Sequence, residues 1–312
     1  MFTKLRRPRA LWAAAVAGAL LAVATPAATA PAVADPVVES AAVEASEPQI
    51  LDIKASGEGI QIPTAARPGQ VTFRVSTTDP KTGWVALVRP RAGVTFEQFR
   101  SSLLKIINHT SADIIEGSAE LRERAELLGG TVIHPDLPAS FTKNLAPGTY
   151  WFFDYQTIRN ENPWHSVLTV GGEPSTAAAP TPSAVLTATM TDGQPVWDLQ
   201  GSVTPGRPIL YRNSFPEDQN AEAVFFRLAE DTTEEDLKAY INEFSDSGQF
   251  PDHSGALDLE RGTGGLPMNA GETSLLQLTL EPGRYAVVDF FVDATDGTIF
   301  IKRGHWKIFE VK

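Results

Sequence analysis

A ten-residue pattern occurs twice in this chain, as LAPGTYWFFDY at residues 145–155 and as LEPGRYAVVDFF at residues 280–291. A chain that writes Leu-x-Pro-Gly-x-Tyr-x-x-x-Asp at two distant places carries two copies of one supersecondary unit, and this constrains its fold more than any other feature. Pro147-Gly148 and Pro282-Gly283 specify tight turns, because proline presets φ and glycine takes positive φ. Tyr150 and Tyr285 open the strand that leaves each turn. In many β-sandwiches a tyrosine so placed packs its ring in the core and bonds its hydroxyl to backbone near the corner. That role is architectural and needs no ligand.

The surrounding blocks match element by element. Residues 68–75 (PGQVTFRV) are a turn followed by an alternating strand, and residues 205–211 (PGRPILY) are their counterpart. Residues 84–89 and 222–227 have the composition of buried strands. A helix is expected after each. Thr95 with Gln98 matches a capping box and Thr233 with Asp236 is a looser version of it. Phe96, Phe99, Leu103, Ile106 and Ile107 then recur at helical spacing, as do Leu237, Tyr240, Ile241 and Phe244. Each block next reaches a glycine pair, Gly129-Gly130 or Gly264-Gly265, then the repeated turn and a closing strand at 166–170 or 307–311. Asp296-Gly297 is expected to turn a hairpin between two strands. The pattern predicts a mainly β protein of two tandem Greek-key sandwiches, each with one or two inserted helices.

Composition shifts set the boundaries. Residues 171–183 (GGEPSTAAAPTPS) have linker composition. The expected plan is a targeting segment at 1–34, a flexible leader at 35–48, domains at 49–171 and 184–312, and a Pro/Ala/Thr-rich linker at 172–183. Lys4, Arg6, Arg7 and Arg9 precede an apolar run at 11–24 that is too short for a comfortable membrane span. Ala32-Val33-Ala34 then fits a cleavage site between Ala34 and Asp35, so a Sec-type signal and secretion are expected. No anchor is expected in the mature chain. Loss of the four basic residues would deepen the net charge of −12 to −16. An acidic balance of 38 Asp+Glu against 26 Lys+Arg argues against nucleic-acid partners. With no cysteine, disulfides, thiolate metal sites and cysteine nucleophiles are excluded.

These elements in this order, closing on residues 304–311 (GHWKIFEV), resemble the cupredoxin-like domains of secreted bacterial proteins. The resemblance covers roughly residues 50–171 and 184–312, and rests mostly on turns and core positions. It implies a Greek-key sandwich. It also implies where a type 1 copper site would stand, and there the ligands are missing. The strand after Pro-Gly-x-Tyr, where the family places its Cys, holds Asp154 and Asp289. The closing Met position holds His305 in one block and Trp164 in the other. The early His position is Trp84 or Glu222. Without a thiolate, blue-copper electron transfer is excluded.

The remaining chemistry is sparse. None of the five histidines lies in a ligand spacing. Asp289 with His305, and Asp154 with His165, are carboxylate–imidazole pairs that neighbouring strands could bring together, which makes them weak metal-ligand candidates beside the plainer role of bonding backbone. Residues 102–105 match S-x-x-K and 81–83 match K-T-G, but the order is reversed and the β context is wrong. Trp164 and Trp306 are weak ligand-binding candidates, since a partly exposed indole can cap a groove. The expectation is a secreted, non-enzymatic binding or structural protein without cofactor, taking an unknown extracellular ligand through the long inserts 108–128 and 244–266. The alternatives are an Asp/His metal-binding protein and a hydrolase of unrecognised residues.

Overall fold

The computed structural model describes residues 47–312 apart from His109; the targeting segment and most of the leader lie outside the described residues. The first half contains β1 (Gln49–Ser56), β2 (Gly59–Gln61), β3 (Ala65–Ala66), β4 (Gly69–Thr77), β5 (Trp84–Pro90), α1 (Phe96–Ile106), α2 (Ser111–Arg124), β6 (Ala125–Val132), β7 (Ala139–Leu145), β8 (Gly148–Asp154) and β9 (His165–Val170). The second half contains β10 (Ala184–Thr191), β11 (Gln194–Gly201), β12 (Ile209–Asn213), β13 (Asn220–Arg227), α3 (Glu234–Asn242), β14 (Thr263–Asn269), β15 (Thr273–Gln277), β16 (Gly283–Val288), a 3₁₀ turn at Phe300–Arg303 and β17 (Trp306–Val311). The protein is mainly β, in two layers.

Local sequence explains the strands. In β4, Val71, Phe73, Val75 and Thr77 are buried while the residues between them face outward or sit half-buried, the period of two of a strand with one wet face. Phe73 meets Phe141 of β7 and Phe152 of β8, each at 5.0 Å or 6.5 Å from its neighbours, which joins the two layers. The flanking Trp151 and Phe153 of β8 point the other way. There they take Phe96 and Phe99 of α1 edge-on or tilted. Both helices expected from capping patterns form, and both capping boxes are complete: Thr95 with Gln98, and Thr233 with Asp236.

The repeated corner also forms twice. Gly148 and Gly283 adopt φ of 154° and 147°. Tyr150 Oη donates to the Ala146 carbonyl at 2.7 Å, and Tyr285 Oη accepts from Glu281 N–H at 3.2 Å. Tyr150→Phe should therefore lose about 1 kcal/mol in urea unfolding, the net worth of one hydrogen bond. An unchanged midpoint would show that the ring alone holds the corner.

Two local expectations are corrected. Asp296-Gly297 does not join two regular strands; the loop is closed by a single bridge between Val292 and Ile299, and the chain then enters the 3₁₀ turn. The loop instead packs Gly297 against Ser111 and Ile114 of α2. The two-residue hairpin lies at Asp192-Gly193, with φ of 51° and 75°, between the paired Thr191 and Gln194.

The sheets are continuous across the two halves. One sheet runs β11-β10-β12-β15-β7-β4-β1-β2 and the other β17-β16-β13-β14-β6-β5-β8-β9-β3, so both sheets cross from one half into the other. The seams are the antiparallel pairs β15–β7 and β14–β6. Thr131 Oγ1 donates to the Gly264 carbonyl and Thr263 Oγ1 to the Val132 carbonyl, each at 2.9 Å, a reciprocal pair across the seam. The linker residues contain no helix or strand, and Ser175 N–H is tied to the Pro68 carbonyl.

Candidate functional site

The Asp of the repeat does the same structural task in each half. Asp154 accepts from Gly83 N–H at 2.7 Å and from Gln156 N–H at 2.8 Å. Asp289 accepts from Glu222 N–H at 3.3 Å and from Phe291 N–H at 2.9 Å. Each carboxyl thus closes the turn after its own strand and straps it to the strand alongside. Burial raises the pKa of Asp154 against those backbone donors.

The second half adds a partner. His305, entering β17, places Nδ1 2.9 Å from Asp289 Oδ2, and both side chains are 0% exposed. The imidazole stacks on Trp197 of β11 at 4.0 Å and lies beside Phe215. Glu222 of β13 completes the group, accepting from Phe290 N–H at 3.1 Å. Burial lowers the pKa of His305 to about 3, against a smaller opposing pull from the Val196 backbone. Burial raises both carboxyls well above their usual range, and Asp289 raises Glu222 further. Tyr211, beside them, is raised by burial and then by both carboxyls. Burial thus favours the uncharged form of each member of the cluster, and Asp289 and His305 are joined through Oδ2 and Nδ1.

These three positions are where the copper ligands of the resemblance would stand, and the residues do not suit type 1 copper. That site needs a thiolate, and the chain has no cysteine. Both oxygens of Asp289 and Oε1 of Glu222 are already engaged. Among the described residues no three His, Asp or Glu side chains form a group able to hold a metal ion.

The other candidates separate. Asp154 is buried, whereas His165 is exposed and stacks on Phe96 at 3.9 Å. His165 pairs with Phe153, one residue before Asp154, so alternation puts Asp154 and His165 on opposite faces. Trp164 is half-buried beside Gly59 and borders an open surface hollow with Gln61 and Asn162. Trp306 is half-buried under the Lys238 ammonium, 5.7 Å from the ring centre.

A pocket opens where the two halves meet. It holds about 150 Å³ and is lined by Trp84, Ile106, Ile107 and Tyr155 from the first half and by Glu222, Phe250, Leu266, Phe290, Phe291 and Val292, among others, from the second. The insert 108–128 contributes α2 and the start of β6, and the pocket begins just before it. The insert 244–266 supplies Ser247, Gly248, Phe250 and Leu266 directly. Phe250, 42% exposed, stands at the rim against Phe244 and Phe290. The bond from Ile299 N–H to the Asp246 carbonyl fixes this wall. Tyr155 Oη is buried without a hydrogen-bond partner, and burial with the nearby Glu222 raises its pKa. Glu222 thus belongs to both the buried cluster and the pocket. One sequence signal marks it: an ionisable residue inside an otherwise continuous buried run.

No protein-family model matches the chain. No curated protein matches it. Among solved structures it is similar to a multicopper oxidase, at 12% identity over 84% of this chain and 88% of that one, with a TM-score of 0.23. It is similar to auracyanin B at 16% identity over 43% of this chain and 91% of that one, with a TM-score of 0.25. It is similar to the copper nitrite reductase from Nitrosomonas europaea at 13% identity over 85% and 93%, with a TM-score of 0.22. Likeness at this level carries neither copper nor catalysis to this chain.

Proposed function

We propose that the chain is an exported, copper-free, cupredoxin-like binding protein that holds a small ligand between its halves and performs no chemistry on it. The pocket at the junction carries this reading: it is concave and apolar, and it has very few polar groups in its lining, the usual make-up of a small-molecule site. Catalysis is disfavoured by the same lining. Burial raises the pKa of both of its ionisable groups, Glu222 and Tyr155, and so disfavours their charged forms. Export rests on the basic and apolar opening segment. In the described residues no helix is long and apolar enough to cross a membrane.

Half-buried Ile107 provides the test, because Ile107→Trp fills the pocket from its rim. Benzene-sized ligands at about a hundredfold over Kd should stabilise the wild type by about 2.7 kcal/mol, a shift of roughly 5–10 °C in thermal unfolding. Ile107→Trp should unfold cooperatively and show no shift. Equal shifts in both proteins, or none in either across a broad panel, would overturn the reading.

A further inference from the structure

We infer that the ligand is a neutral, single-ring-sized molecule bearing one hydroxyl or carbonyl, held by Glu222 and Tyr155. This rests on the reading above that the pocket binds a ligand, and adds the chemistry it selects. Size comes first. A volume of about 150 Å³ is that of an apolar cavity that accepts benzene, so one ring or a branched chain of similar bulk fills it and a sugar or nucleotide does not.

The polar groups come next. The side chains of Leu266, Phe290, Phe291 and Val292 offer the ligand only apolar surface. Against them stand Tyr155 Oη, buried and lacking a partner, and the Glu222 carboxyl, of which Oε1 already accepts from Phe290 N–H. Phenol and carboxyl are near enough that the Glu222 charge would raise the Tyr155 pKa. A buried hydroxyl left unpaired is costly, and a ligand hydroxyl or carbonyl oxygen accepting from it would satisfy it. Charged ligands are selected against. Either kind of ion would have to be stripped of water in an apolar lining that offers no opposite charge already in place.

The experiment is calorimetric titration of the full chain with phenol, benzene, benzoate and benzylammonium. Wild type should bind phenol about 3- to 10-fold more tightly than benzene and should not bind either ion measurably, the ratio expected of one net hydrogen bond. Tyr155→Phe removes only the unpaired hydroxyl and should fold as well as wild type. It should lose the phenol advantage and keep benzene binding unchanged. Glu222→Gln keeps a neutral group of the same shape and should hold phenol within about threefold, whereas a site using an ionised carboxylate would lose tenfold or more. Equal binding of benzene and phenol would sink the polar anchor while leaving the pocket reading intact. Tightest binding of either ion, or a tenfold loss in Glu222→Gln, would overturn the neutral-ligand inference. Binding of none of the four would bring down both.

Discussion

Replacing Gly264 by alanine should cost about 4 kcal/mol, against a native stability of roughly 5–15 kcal/mol for an ordinary domain. The added Cβ would lie 2.1 Å from the Ala223 carbonyl oxygen and 2.9 Å from Val224 Cα. Both are backbone atoms of the paired strand and cannot swing aside. The glycine also holds φ at 155°, which an L side chain rarely adopts. Left-handed strain and overpacking each cost about 1–3 kcal/mol. Gly264 sits where β14 meets a register shift in β13, between Ala221 and Ala223, and where it also pairs with Val132 of the other half. Gly130 repeats the arrangement, its Cβ falling 2.2 Å from the Val85 carbonyl. Gly206→Ala is the matched control: φ is 69°, but nothing lies within 4 Å, so only about 1–2 kcal/mol of left-handed strain applies. Thermal unfolding should place Gly264→Ala 10 °C or more below wild type and several degrees below Gly206→Ala. If the two variants unfold within a degree of each other, the close approach of β13 and β14 is refuted.

The second large effect is an acid sensitivity that disappears in His305→Asn. A histidine free in the unfolded chain protonates below about 6.5, while the buried ring resists protonation down to about 3. Between those values the unfolded state binds the extra proton, so the imidazole's contribution falls as pH falls. From pH 7 to pH 4 this amounts to about 3 kcal/mol, since each pKa unit is 1.36 kcal/mol. Asp289 and Glu222 act with the opposite sign. Their folded pKa values are raised, so the native state retains protons that the unfolded state releases above about 4, and their contribution falls as pH rises. His305→Asn retains both carboxyls, so its comparison with wild type isolates the ring. Urea unfolding at pH 7 and pH 4 should show wild type losing about 3 kcal/mol relative to the variant. A change below 1 kcal/mol would mean that the ring is already charged or wet in the native state.

Much of the architecture was written locally. The two Pro-Gly-x-Tyr corners, the Thr95 and Thr233 caps and the alternation in β4 depend on residues a few positions apart, and sequence adjacency already encodes their geometry. The pairing of Asp289 with His305 was visible as a question, because neighbouring strands often bring a carboxylate and an imidazole together. Asp154 and His165 posed the same question and face apart, since one residue of register reverses a strand's face. The tight hairpin at Asp192-Gly193 and the looser loop at Asp296-Gly297 share a dipeptide, and only their flanks separate them.

By itself, then, the sequence determined a repeated β unit without cysteine, its corners, its caps and the absence of any thiolate ligand. Each of these follows from residue type and short-range spacing. Only the tertiary structure decided that the two units share both sheets, that a side chain at Gly130 or Gly264 would strike the backbone of the paired strand, and that Glu222 borders both the buried Asp289–His305 pair and the pocket. Those outcomes rest on contacts between residues far apart in the chain. Their energy comes from burial and close packing, which local propensity does not carry.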